Sequence, residues 1–267
     1  MSSSALADFI VVVTGASTGL GRAIAVGSAE RGAKTVIVNY ASSEKEATET
    51  GRLVESAGAQ AILVQGDVGD DDACRSIADT AKPFGRIDAL FNNAGVTTFA
   101  PDHGDLDAVS GDDFLTAYRV NVVGAYQMIR AARALLEAGP RPGAVVNTSS
   151  IAAVTGIGSS VPYAASKGAL TTMTISLARA LAPKIRINAI CPGFIDTPWF
   201  SKAYPAESVA ALRDKMAAST PLKAASTAED VAGAALFFVS PDARHVTGET
   251  LLVDAGTHLG FAPLVAR

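Results

Sequence analysis

The chain has 267 residues, is nearly half apolar (49%) and carries a formal net charge of −4. That length suits one large domain with a full core, and the acidic balance speaks against a nucleic-acid partner or an anionic membrane surface, both of which call for a basic excess. Cys74 and Cys191 lie far apart with no metal-ligand partner near them, Met1–Asp8 lacks a signal-peptide pattern, and no stretch approaches the roughly 20 apolar residues of a membrane span; a cytoplasmic protein with no membrane partner is expected.

Short β-rich apolar runs alternate with longer helical patterns. The runs are Phe9–Thr14, Thr35–Asn39, Ala61–Gly66, Ala89–Asn92, Gly143–Thr148, Arg186–Cys191 and Thr250–Val253. Their unbroken apolar character suits strands covered on both faces. The helical patterns run over about Leu20–Arg31, Ser43–Ala57, Asp71–Phe84, Asp112–Ala138, Val161–Ala182 and Ala228–Val239. This rhythm predicts an α/β fold with a doubly wound parallel sheet, and with no linker or repeat in sight a single domain over residues 1–267.

The turn after the first run reads Thr14-Gly15-Ala16-Ser17-Thr18-Gly19-Leu20-Gly21 and opens a helix. Glycines there let the backbone approach a pyrophosphate, and the helix N-terminus offers N–H groups to it. The second run ends at Asn39, followed by Tyr40-Ala41-Ser42-Ser43, where an acidic residue would bind the ribose hydroxyls of NAD. Without a carboxylate to repel a 2′-phosphate, the position leans toward NADP(H), although no arginine stands beside it and Thr18 fills a loop position open to a base. Asp67-Val68 and Asn92-Asn93-Ala94-Gly95 follow the third and fourth runs, at the carboxyl ends of strands, where ligands bind. Asp67 has two readings, as acceptor for an adenine amino group or as a helix cap before Asp70–Asp72. Small Ala94 and Gly95 admit a flat ring or ribose.

Asn121 sits within an apolar helical stretch and must find partners, since a buried unpaired amide costs about 1–3 kcal/mol. Ser150 ends the small-residue loop off the fifth run. Tyr163 and Lys167 stand four apart at the start of a helix and share one face. A phenol, with its reference pKa of about 10, is a poor proton carrier near neutrality; an adjacent ammonium is expected to favour the phenolate and lower that value.

With these residues in view, the chain resembles the short-chain dehydrogenase/reductase family from about Asp8 to Gly256, through Thr14-Gly15…Gly19-Leu20-Gly21, Asp67, Asn92-Asn93-Ala94-Gly95, Asn121, Ser150, Tyr163-x-x-x-Lys167, Pro192-Gly193 and Val253-Asp254-Ala255-Gly256. The resemblance implies one Rossmann-like domain of seven parallel strands with helices on both faces. It implies Tyr163 as general acid or base, Lys167 as its partner and a ligand of the nicotinamide ribose, Ser150 as donor to the substrate oxygen, and Asn121 as the holder of a relay water. Gly15, Ser17, Thr18, Gly19, Leu20, Gly21, Asn39, Ser42, Asp67, Val68, Asn93, Ala94 and Gly95 would line the cofactor together with Tyr163, Lys167, Pro192, Gly193, Ile195 and Thr197. No metal is called for, because Tyr163 and Ser150 already polarise a carbonyl.

Residues 198–221 are expected to form the substrate lid, with Trp199, Phe200 and Tyr204 making it apolar. The loop Val96–Gly111 would be the opposite wall, with His103 a solvated residue and not a catalyst. The leading function is an oxidoreductase interconverting a small-molecule ketone and secondary alcohol. A 3-oxoacyl-carrier-protein reductase is the first alternative, with Arg130, Arg133, Arg141 and Lys184 as docking candidates; a sugar or polyol dehydrogenase and a non-catalytic cofactor sensor are the others. An enoyl reductase is disfavoured, because the family's enoyl reductases space tyrosine and lysine more widely. The helices through Phe114–Leu136 and Ala165–Leu181 are apolar on more than one side, which predicts helix pairing in a homotetramer, and the tail from His258 to Arg267 would reach a neighbouring subunit.

Overall fold

The computed structural model describes residues 5–201 and 204–260. The tail beyond Gly260 lies outside them. Seven strands form one parallel sheet: β1 (Ile10–Val13), β2 (Thr35–Tyr40), β3 (Gln60–Gln65), β4 (Ala89–Asn92), β5 (Gly143–Thr148), β6 (Ile185–Pro192) and β7 (Thr250–Val253). Their spatial order is β3-β2-β1-β4-β5-β6-β7. The chain winds outward from β1 in one direction and from β4 in the other, so the crossovers leave a crevice at the carboxyl ends of β1 and β4.

The helices are α1 (Gly19–Glu30), α2 (Glu44–Ser56), α3 (Asp71–Asp79), α4 (Gly111–Tyr118), α5 (Ala125–Glu137), α6 (Ala152–Thr155), α7 (Val161–Leu181), α8 (Pro198–Ser201), α9 (Ala206–Ser219) and α10 (Ala228–Val239). Two cores result. Val11, Val13, Val36 and Val38 pack on α1 and α10 residues such as Ile24, Leu236 and Phe238, whereas Ile10, Val12, Leu90 and Val145 face Ile77, Met128, Ile129 and Leu136 on the other side. The alternation of strand residues between the two cores explains the unbroken apolar runs.

The edges depart from that rule. β1, β2 and β4 are buried throughout, but no residue of β3 is fully buried, and Leu251 of β7 is exposed. Each outer strand lacks a neighbour on one side. The stretch read as one helix over Asp112–Ala138 is broken by a π-helical segment, Arg119–Gly124, between α4 and α5. Such a bulge inserts a residue and re-aims the side chains within it, here Asn121. Among the described residues no helix is long and apolar enough to cross a membrane.

Candidate active site

The loop from Gly15 to Gly19 takes left-handed backbone at both glycines, with φ of 61° and 55°. The crowding there is severe: a Cβ on Gly21 would lie 2.3 Å from the Gly15 carbonyl oxygen, and one on Gly15 would lie 2.8 Å from Ala94 Cα. Asn93 ties the loop to β4 by donating from Nδ2 to Thr14 O and Gly15 O at 3.1 and 3.0 Å. This brings the two predicted small-residue turns together at the crevice and leaves the N-terminus of α1 open to it, with Thr18 as N-cap making no side-chain cap bond.

The cleft has a volume of about 1020 Å³, enough for a dinucleotide and a substrate. It is lined by every predicted cofactor residue, from Gly15 through Thr197, and by Ser150, Tyr163 and Lys167. Asn121 lies just behind it. The glycine cradle is the feature that fits a pyrophosphate: a side chain at Gly15 would strike Ala94 and one at Gly21 the Gly15 carbonyl, so glycines are what keep this turn tight at the N-terminus of α1.

Asn39 borders the cleft with its amide already committed. Its Oδ1 accepts from Gly15 N at 3.3 Å, and Nδ2 donates to Val64 O and Gly66 O at 3.2 and 3.0 Å. It pins three loop ends together and has no amide proton left for a ribose or phosphate. Behind the same corner stands Arg22, a residue the sequence reading passed over. Its guanidinium donates to Ser17 O at 2.7 Å, Glu46 O at 3.1 Å and Thr50 Oγ1 at 2.9 Å, bridging the glycine loop to the first turn of α2. Arg22 was hidden because its reach to α2 crosses 28 residues of sequence.

The cap of α3 is Asp70, whose Oδ1 accepts from Ala73 N, so the capping alternative for Asp67 falls away. Asp67 instead accepts from Gly69 N at 2.9 Å and pairs with Arg119 Nη1 at 2.9 Å. Partial burial pushes its carboxyl up, but these two donors prevail and hold it below the ordinary range. Arg119 lines the same end of the cleft, brought there by the π segment.

The predicted reacting groups sit where β5 and β6 end. Ser160 caps α7 by accepting from Tyr163 N, which fixes the first turn and hence the phenol. Ser150 Oγ accepts from Ala152 N at 3.1 Å, leaving its hydroxyl proton to donate into the cleft. Lys167 is buried, with Nζ donating to Thr148 O at 2.7 Å and standing 5.6 Å from the Tyr163 ring centre. Asn121 accepts from Val96 N at 2.8 Å and donates to Val96 O at 3.0 Å and Ser166 Oγ at 2.9 Å, and Ser166 Oγ donates on to Tyr163 O at 2.7 Å. The π segment, the β4 loop and α7 are thus joined through one amide.

The electrostatics correct one expectation. Burial pushes the Tyr163 phenol up to about 12, with the Ser150 hydroxyl pulling back and the neighbouring Cys191 adding to the rise. Burial likewise pushes Lys167 down to about 8. Pairing alone predicts a lowered phenol. Desolvation outweighs it because the ammonium is turned to the Thr148 carbonyl and lies several ångströms from the ring.

The predicted lid region carries Trp199 and Phe200 on α8, Tyr204 beyond it, and α9, a helix whose irregular apolar spacing hid it in the sequence. Phe99 and Phe194, also unremarked in the sequence, join these rings along the cleft. His103 is half-exposed on the facing loop, its Nε2 3.2 Å from Gly158 O, and it does not line the main cleft. Asp254 lies buried behind the cleft residue Gly193: it accepts from Gly256 N and His258 N, contacts His258 Nδ1, and packs so closely on Gly193 that a Cβ there would lie 2.8 Å from its own.

Comparison with known proteins places this geometry. The family model described as "Enoyl-(Acyl carrier protein) reductase" matches residues 15–258. The chain is 39% identical over 251 residues to the protein named "Granaticin polyketide synthase putative ketoacyl reductase 2" of Streptomyces violaceoruber, covering 94% of this chain and 96% of that one. It is 38% identical over 253 residues to an L-rhamnose 1-dehydrogenase (NAD(P)(+)) of a Sphingomonas strain, covering 94% and 96%. Among solved structures, a short-chain dehydrogenase from Burkholderia cenocepacia in complex with NADP superposes with a TM-score of 0.82 at 33% identity, covering 94% of this chain and 98% of that one.

Proposed function

The chain belongs to the short-chain dehydrogenase/reductase family of NAD(P)-dependent oxidoreductases, and we propose that it interconverts a secondary alcohol and a ketone, using NADP(H) in preference to NAD(H). The observation that carries this reading is the convergence of Ser150, Tyr163 and Lys167 beside the glycine cradle in one cleft. A bound nicotinamide cofactor supplies or takes up the hydride. Gly15, Gly19 and Gly21 would face its pyrophosphate, and Pro192, Gly193, Ile195 and Thr197 its nicotinamide end.

Ser150 donates a hydrogen bond to the carbonyl oxygen, keeping its own proton, and orients it. Tyr163 gives its phenolic proton to that oxygen during reduction and takes it back during oxidation. Lys167, as ammonium, stabilises the phenolate that proton transfer leaves behind, which a phenol pushed up to about 12 requires. Asn121 keeps a lone pair of Oδ1 for a relay water, its amide protons being spent. Purified protein offered ketones and alcohols with each cofactor, and followed by nicotinamide absorbance, tests the reading; no turnover of any such pair would end it.

The cofactor lean rests on the missing carboxylate at the end of β2 and on Arg22, which places a cation behind Ser17 and the α2 N-terminus. Ser42 and Ser43 line the cleft at this corner and have hydroxyls to offer a 2′-phosphate. A kcat/KM at least about tenfold higher with NADPH than with NADH is expected from one such charge interaction. A preference for NADH would show that this corner reads ribose hydroxyls.

For assembly, we retain a homotetramer. Of the apolar residues expected to be left over, Phe114, Val123 and Ile175 are exposed, and Leu115, Tyr126 and Val161 beside them are exposed as well, whereas Ala117, Val120, Met128, Ile129, Ala132 and Leu136 are buried in the core. Pairing these helices about a two-fold axis removes that surface from water at about 25 cal/mol per Å². Light scattering at micromolar concentration is expected to give four chains. A monomer with full activity would overturn the proposal, while a dimer would retain only this interface.

A further inference from the structure

The half of the cleft beyond Ser150 and Tyr163 is walled by rings from separate parts of the chain. Phe194, after β6, stacks on Phe200 of α8 with centres 5.1 Å apart. Phe200 lies 6.2 Å from Phe99, and Phe99 meets Tyr204 edge-on at 5.5 Å. Trp199 stands 6.2 Å from the Tyr163 ring, beside the reacting hydroxyl. Phe99 is firmly held: Thr98 Oγ1 donates to Asp113 at 2.6 Å, Ala100 N donates to Ser159 O at 2.8 Å, and Thr97 and Ser159 share a hydrogen bond of 2.6 Å. Phe200 and Tyr204 pack on this wall.

Charge points the same way. Among the described residues lining the cleft, the only lysine or arginine side chains are Lys167, in the reacting centre, and Arg119, paired with Asp67 at the cofactor end. The segment that continues from Phe99 and Pro101 presents exposed Asp102, Asp105, Asp107 and Asp112. On the lid, Arg213 is engaged with Asp196 and Asp214, Lys223 Nζ donates to Ala218 O, and neither these nor Lys215 lines the cleft. The sequence's docking candidates for an acidic carrier are placed elsewhere. Arg141 and Lys184 precede β5 and β6, at the amino ends of the strands and so opposite the cleft, with Arg141 over the Phe9 ring; Arg130 and Arg133 pair with Asp71 and Glu137.

We propose that the substrate is a free, uncharged ketone or secondary alcohol bearing an apolar group of ring size, in place of an anionic or carrier-bound acyl thioester. The inference rests on the ketone–alcohol reading above. An apolar ring gains by displacing water from Phe99, Phe194 and Phe200. Among the described residues lining this half of the cleft there is no lysine or arginine beyond Lys167 for an anionic group to meet.

The test is a kinetic series with the full chain and each nicotinamide cofactor: acetone, acetophenone and 2-acetylnaphthalene, against acetoacetyl-CoA, its uncharged N-acetylcysteamine analogue, and L-rhamnose in the oxidative direction. Each added ring is expected to raise kcat/KM by about tenfold, and the CoA thioester is expected to fall at least about tenfold below its uncharged analogue. The highest kcat/KM on acetoacetyl-CoA or on L-rhamnose would overturn the inference while leaving the oxidoreductase reading intact. Failure to turn over any carbonyl or alcohol would overturn both. Phe99→Ala is expected to shrink the ratio of 2-acetylnaphthalene to acetone kcat/KM by about tenfold; an unchanged ratio, in a variant that still binds cofactor, would overturn the role of this wall.

Discussion

Replacing Tyr163 with phenylalanine is expected to lower kcat by about a thousandfold, the range of a lost general acid, while the cofactor dissociation constant stays within about twofold. The exchange deletes one hydroxyl and keeps the ring, so the contact with Trp199 and the Ser160 cap on Tyr163 N both remain. Ser150 still orients a carbonyl, but its hydroxyl has no lysine behind it to stabilise the anion that proton donation would create. Steady-state kinetics at saturating substrate, paired with a fluorescence titration of cofactor, separates the two effects. Retention of more than a tenth of the wild-type rate would defeat the assignment of Tyr163 as the proton donor.

Lys167→Ala is expected to damage both chemistry and binding, lowering kcat by about a hundredfold and weakening the cofactor by about tenfold, because the ammonium serves the phenolate and would also meet the nicotinamide ribose. The pH profile gives a second readout. Burial pushes Lys167 down to about 8, so in the free enzyme its charge is present below that pH and lost as the pH rises through it. The phenol, pushed up to about 12, stays protonated across this interval. Reductive kcat/KM in the wild type should therefore be level below about pH 8 and fall above it, and the residual activity of Lys167→Ala should lack this step. A wild-type profile level to about pH 10 would show that the lysine charge does not govern the reaction, and an unchanged cofactor affinity in the variant would remove the ribose contact.

The sequence alone determined the seven strands, the parallel winding and the positions of the small-residue turns. These follow from local facts: unbroken apolar runs demand cover on both faces, and glycines spaced after a strand demand a tight turn. Tyr163 and Lys167 were legible because helical spacing puts residues four apart on one face. The tertiary structure decided the rest. Strand periodicity carries no information about neighbours, so only the sheet order shows that β3 and β7 are edges. Helix periodicity over Asp112–Ala138 could not reveal the π segment, because the bulge is held by the partners Asn121 finds on Val96 and Ser166. Asn39 looked free for a ligand until Gly15, Val64 and Gly66 converged on its amide. Arg22 became part of the cofactor corner only when α2 packed beside α1, and the aromatic wall formed only when Phe99 met the lid. The direction of the Tyr163 shift reversed for the same reason: sequence spacing fixes which charge is near, but the depth of burial and the direction of the ammonium, which together set the balance between Coulomb attraction and desolvation, exist only in the folded chain.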